Sequence, residues 1–138
     1  MLIWTPDLSV NVSEVDDQHK ELFSRINRFL ESLESRPDAS ALAEFFDYLE
    51  GYMNFHFGTE ERYMEKYALY GYTDHDRHLS EHAAFRRDFA GFKNDMTRDG
   101  VSELMIGEWR NWITNWWLLH ITRVDKGLGA FIREMILF

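Results

Sequence analysis

Cysteine is absent from this chain of 138 residues, proline occurs only twice, and basic residues are outnumbered by acidic ones, 15 to 24. Each shortage excludes something. Without cysteine there is no disulfide, thiolate zinc site, iron–sulfur cluster or cysteine nucleophile, so any metal must be held by histidine and carboxylate. The net charge of −9 argues against nucleic acid and anionic membrane as partners, because neither gains from an acidic surface. No basic and apolar leader opens the chain, and no apolar run approaches the ~18 residues of a membrane span. A cytoplasmic protein with no membrane association is therefore expected.

Turn signals are also few. Arg36-Pro37-Asp38, the stretch from Tyr70 to Asp74, and Arg98-Asp99-Gly100 break the chain into four long segments, 14–35, 39–68, 74–98 and 101–126. A short tail follows, its start loosened by Gly127 and Gly129. Ser13-x-x-Asp16 and Thr73-x-x-Asp76 read as helix starts. What the chain does have is apolar bulk: 45% hydrophobic and 16% aromatic residues, enough for the core of one domain spanning 1–138.

Each segment repeats apolar residues every third or fourth position. The stripes run Val15, His19, Leu22, Ile26, Phe29, Leu33; then Leu42, Phe46, Leu49, Met53, His56, Glu60, Tyr63, Tyr67; then His78, His82, Phe85, Phe89, Phe92, Met96; then Met105, Trp109, Trp112, Trp116, His120, Val124. Four amphipathic helices with short loops make an all-α, antiparallel up-down-up-down four-helix bundle. Residues before the first segment form an irregular N-terminal arm, with Trp4 as its anchor, and the tail forms a short C-terminal helix.

The stripes should be apolar, yet each carries histidine. In an up-down bundle the start of the first helix, the end of the second, the start of the third and the end of the fourth share one level. His19, His56, Glu60, His78, His82, His120 and Asp125 all fall there. A lone histidine in such a stripe is ordinarily a hydrogen-bonded core residue. Five with two acids at one level are different, because an unsatisfied buried polar group costs ~1–3 kcal/mol against a total stability of ~5–15 kcal/mol. A metal gives every group a partner. The pairs His56/Glu60 and His78/His82, each four residues apart, put two donors on one helix face. Seven donors are too many for one tetrahedral zinc and suit two octahedral ions; by ligand hardness these are iron, manganese, cobalt or zinc. His75 is expected as a first-turn surface or capping residue. Glu61 reads as a solvated acid or as a partner behind a ligand, and Tyr63 and Tyr67 read as core or as donors near the site.

Taken together, several motifs resemble the hemerythrins, and among them the single-domain bacteriohemerythrins. They are Asp17-Gln18-His19-Lys20-Glu21-Leu22; His56-Phe57-x-x-Glu60-Glu61-x-x-Met64; Gly71-Tyr72 followed by His78-x-x-x-His82-x-x-Phe85; and Trp116-x-x-x-His120-Ile121-x-x-x-Asp125. The resemblance spans nearly the whole chain. It implies a four-helix bundle around a non-haem di-iron centre, oxo- or hydroxo-bridged, that binds dioxygen reversibly for oxygen transport, storage or delivery and is not an enzyme. By it, His78, His82 and His120 would hold one iron and His19 and His56 the other, with Glu60 and Asp125 bridging. Leu22, Phe57, Trp116, Trp117 and Ile121 would wall the dioxygen pocket. Competing functions are a di-iron oxidase or peroxidase, a nitric oxide-handling protein, and an oxygen or redox sensor acting on a protein partner.

The chain departs from the family pattern at three places. Thr73 stands where proline usually follows the tyrosine, and Asn11 where glycine is common. Trp117 follows Trp116 where the family usually has leucine, at a position that faces the pocket in relatives. A narrowed pocket with slow exchange of small anions is the expected consequence.

Overall fold

The computed structural model describes residues 1–137, and among them there is no strand. The helices are α1 (Ser13–Glu34), α2 (Ala39–Lys66), α3 (His75–Asp99), α4 (Glu103–His120) and α5 (Lys126–Leu137). The first packs on α2 and α4, and α3 packs on the same two, which closes an antiparallel bundle of four. Midway along it each helix contributes one ring to an aromatic layer. Phe29 lies 4.9 Å from Phe46 and 4.6 Å from Trp109, and Phe46 lies 5.6 Å from Phe89. Burying each such ring is worth ~1.5–3 kcal/mol, so this layer clamps the four helices at a fixed rotation. None of the helices is long and apolar enough to cross a membrane.

Two helix starts are capped by side chains: Asp38 accepts from the Ala41 amide at 2.8 Å, and Ser102 from the Met105 amide at 3.1 Å. The two starts expected from sequence differ. Val12 occupies the cap position of α1, and Asp16 faces backwards to accept from the Val10 amide at 2.8 Å and the Ser9 hydroxyl at 2.6 Å. It pins the arm rather than capping the helix. Asp74, not Thr73, is the cap residue of α3, with no side-chain hydrogen bond. Asn11 takes a left-handed φ of 63°. That conformation favours glycine and tolerates asparagine, which accounts for the residue found here.

The tail is not loosened by glycine. The chain runs from α4 through a π-turn (Ile121–Asp125) directly into α5. Gly129 is buried against the arm, and a Cβ there would overlap the Val10 carbonyl oxygen and stand 2.9 Å from the Val10 Cβ. Backbone cannot yield as a flexible side chain does. Gly129→Ala should therefore push the arm off α5 and lower thermal stability by about 1–3 kcal/mol. Denaturant unfolding checks this, and an unchanged midpoint would refute the close approach.

Candidate metal centre

His19 sits in the second turn of α1, His56 and Glu60 near the end of α2, His78 and His82 in the first turns of α3, and His120 at the last residue of α4. Asp125 ends the π-turn. All seven side chains are 0–2% exposed. The structure brings them together at one end of the core as two overlapping groups: Glu60, His78, His82, His120, Asp125, and His19, His56, Glu60, Asp125. Within each, one donor atom per residue lies within 4.8 Å of the others.

The π-turn is what admits Asp125. Residues five apart on an α-helix lie about 140° apart around the axis, so a regular helix would turn this carboxylate away from His120. Widening the turn to i→i+5 closure stacks the two residues, and His120 Nε2 comes to 3.0 Å from Asp125 Oδ1.

The inward atoms show what the site is suited to hold. Nε2 of all five histidines and every oxygen of Glu60 and Asp125 are buried without a hydrogen bond. They crowd one another: His19 Nε2 is 3.1 Å from Asp125 Oδ2, His78 Nε2 is 3.0 Å from Asp125 Oδ1, and His56 and His82 Nε2 are each 3.3 Å from Glu60 Oε1. The separations are short, but the angles do not form hydrogen bonds. Lone pairs converging on a common space fit a metal cation, and nitrogen plus carboxylate donors fit iron among the ions this set can hold.

Behind the donors, four histidines are braced through Nδ1. His56 meets Gln18 Oε1 at 2.8 Å, His78 the Tyr72 hydroxyl at 3.2 Å, His82 Glu61 Oε2 at 3.4 Å, and His120 Glu81 Oε1 at 2.9 Å. An ionised carboxylate only accepts, so Nδ1 of His82 and His120 carries the proton and Nε2 keeps its lone pair for the centre. The Gln18 amide is oriented by its donation to Thr59 Oγ1 at 3.1 Å, leaving its oxygen for His56. Sequence reading considered Glu61 and missed Gln18, Tyr72 and Glu81. A signal exists in hindsight. Three of these bracing residues are chain neighbours of one donor yet serve a donor on the next helix. Gln18 precedes His19, Glu61 follows Glu60, and Glu81 precedes His82. A neighbouring residue is turned about 100° around its helix, toward the adjoining one.

Without a cation, the buried carboxylates draw protons onto the histidines. Burial pushes His78 and His120 down, but Asp125 and Glu60 outweigh it, raising His78 to about 9 and His120 to about 10. Burial pushes Asp125 up, and His120, His19 and His78 hold it well below its ordinary range. Burial and Asp125 push Glu60 up, while His56 and His78 hold it low. His56 itself is lowered by burial. The raised histidines stabilise the metal-free fold fully below their unfolded value of 6.5, and that contribution is lost as pH rises through about 9 to 10. The lowered carboxylates contribute above their unfolded values of 4.5 and 3.8, and that is lost as pH falls through their folded ones. At neutral pH, metal uptake should then release protons from His78 and His120, in a number per chain that titration can count. Calorimetric titration in buffers of different ionisation enthalpy measures this number, and a release of none would contradict the charge balance.

Of the residues expected to wall a pocket, Leu22, Phe57, Trp117 and Ile121 are fully buried. Trp117 lies between the two groups, its ring 5.7 Å from His56, 6.1 Å from His120 and 6.4 Å from His19, and it stacks on Phe57 at 5.4 Å. Its indole N–H is buried with no acceptor. Trp116 is half-buried and stacks on His120 at 4.3 Å, which places it against the three-histidine group. His75 is half-buried in the first turn of α3. The Tyr63 hydroxyl donates to Glu14, so Tyr72 is the tyrosine that reaches a site histidine.

The family model of the hemerythrin HHE cation binding domain matches residues 10–132. The bacteriohemerythrin of Methylococcus capsulatus is 29% identical over 94% of this chain and 95% of its own. That of Pseudomonas aeruginosa is 29% identical over 96% and 82%. A crystal structure of wild-type hemerythrin superposes with a TM-score of 0.75 at 28% identity, covering 94% of this chain and 96% of that one.

Proposed function

The chain belongs to the hemerythrin family, and from that premise we propose that it binds dioxygen reversibly at a pair of iron ions held by the seven buried donors. The observation that carries this reading is the unequal division of donors, five in one group and four in the other, with Glu60 and Asp125 common to both. Two ions held by these groups would find one protein donor fewer on the two-histidine side, and an external ligand would fit there. When bound, two ferrous ions supply the electrons that dioxygen draws on and recover them on its release.

The chain's own residues do the rest. Gln18 holds the His56 ring in place through Nδ1. Leu22, Phe57, Trp117 and Ile121 are fully buried and exclude water. Apolar rings and alkyl groups there carry no acid to protonate a reduced ligand, which favours release over turnover. This supports a carrier or store rather than an enzyme.

The test is a visible spectrum. Protein reconstituted anaerobically with about two ferrous ions per chain is exposed to air and then purged with argon. Colour that rises with dioxygen and fades on purging is expected. A stable ferric product that forms at once would overturn reversible binding.

A further inference from the structure

We infer that Glu61 and Glu81 make the two halves of the centre electronically unequal, favouring the higher metal charge on the three-histidine side. The inference rests on the two-iron reading above. Both carboxylates accept from histidines of the five-donor group, His82 and His120. The third histidine of that group, His78, meets a phenol. On the other side His56 faces the neutral amide of Gln18, and His19 Nδ1 has no partner. The asymmetry in anionic support is thus complete: two carboxylates on one side, none on the other.

A carboxylate that accepts the Nδ1 proton leaves more electron density on Nε2 and makes that imidazole a stronger donor. The gain is larger for a trivalent ion than for a divalent one, so it lowers the reduction potential of the iron concerned. Both carboxylates are also fixed in place. Arg77 Nε donates to Glu81 Oε2 at 3.3 Å, and Arg86 Nη2 lies 3.4 Å from Glu61 while its Nε donates to Asn54 at 3.1 Å. Their side chains are 31% and 27% exposed, so solvent damps part of the effect. The 2.9 Å contact of Glu81 is well formed and the 3.4 Å contact of Glu61 is long, so Glu81 is the stronger of the two. In consequence a single electron added to the diferric centre settles on the two-histidine iron, where the external ligand binds.

Glu61 and Glu81 are positioning residues, and the readout is a potential. The iron content of each protein is counted first. Diferric wild type, Glu81→Gln, Glu61→Gln and Gln18→Glu are then titrated with an external one-electron reductant while the visible spectrum is followed. Glu81→Gln should raise the more negative midpoint by about 59 mV, a tenfold change in ferric over ferrous preference, and Glu61→Gln by less. Gln18→Glu adds a carboxylate to the other side and should lower the other midpoint. A purely structural role would change melting temperature and leave the midpoints where they are. Two irons per chain with unmoved midpoints in Glu81→Gln would overturn this inference alone. Fewer than two irons in the wild type would overturn the two-iron reading and the inference with it.

Discussion

Asp125→Ala is expected to weaken both metal positions at once, whereas His56→Ala should spare one. Asp125 Oδ1 stands 3.0 Å from both His78 and His120 Nε2, and Oδ2 stands 3.1 Å from His19 Nε2. It belongs to both donor groups, as does Glu60, while each histidine belongs to only one. Losing one coordinating oxygen costs more than the 10–100-fold typical of a residue behind a ligand. Metal content after desalting should fall from about two ions per chain to below one in Asp125→Ala, and to about one in His56→Ala. Elemental analysis of the desalted proteins decides it. A variant that loses the carboxylate and still retains two ions would show that the shared oxygens do not bridge. Removing the carboxylate also takes away the charge that holds protons on His78 and His120, so burial lowers both histidines and they shed protons in the metal-free variant. Circular dichroism of the metal-free variant separates lost ligation from lost fold, and Asp125→Asn, which keeps the volume and one oxygen, gives the same comparison in a gentler form.

Trp117→Leu should speed the exchange of small anions at the centre. The indole is fully buried, stacks on Phe57, and lies 5.7 Å from His56 and 6.4 Å from His19. It also lies 6.1 Å from His120, so it fills space between the two donor groups, nearest to His56. Leucine would vacate much of that volume. Lowering the barrier to ligand passage by only ~1.4 kcal/mol gives a tenfold faster rate. Stopped-flow azide binding to the diferric protein measures it, and equal or faster binding in the wild type than in Trp117→Leu would refute the role. Trp117→Phe separates two explanations. It keeps much of the bulk but removes the buried indole N–H, which has no acceptor in the chain. Rates close to wild type assign the effect to bulk; rates close to Trp117→Leu assign it to the lost donor. The substitution also costs stability, of the order of 2 kcal/mol for a cavity of this kind, so the rates are compared well below the melting range.

Much of the fold follows from spacing along the chain. A period of 3.6 fixes which residues share a helix face, so four amphipathic stripes and three short breaks suffice for an antiparallel bundle. The same period, with the up-down order, brings six of the donors, all but Asp125, to one end of it, because residues four apart on one helix must face the same core. Cysteine's absence and the acidic balance narrowed the chemistry further, with no geometry needed. What spacing does not carry is the rotation and offset of one helix against the next. That decides which neighbour of a donor braces a histidine across the interface: Gln18 serving His56, Glu61 His82 and Glu81 His120. It also decides that Trp117 lies between the donor groups, nearest to His56, while Trp116 stacks on His120. The five-residue step from His120 to Asp125 was visible as a number, but only a π-turn converts it into a shared face. Gly129 read as a loosening element until the arm was placed against it, for a missing Cβ has no meaning in sequence until something occupies its space.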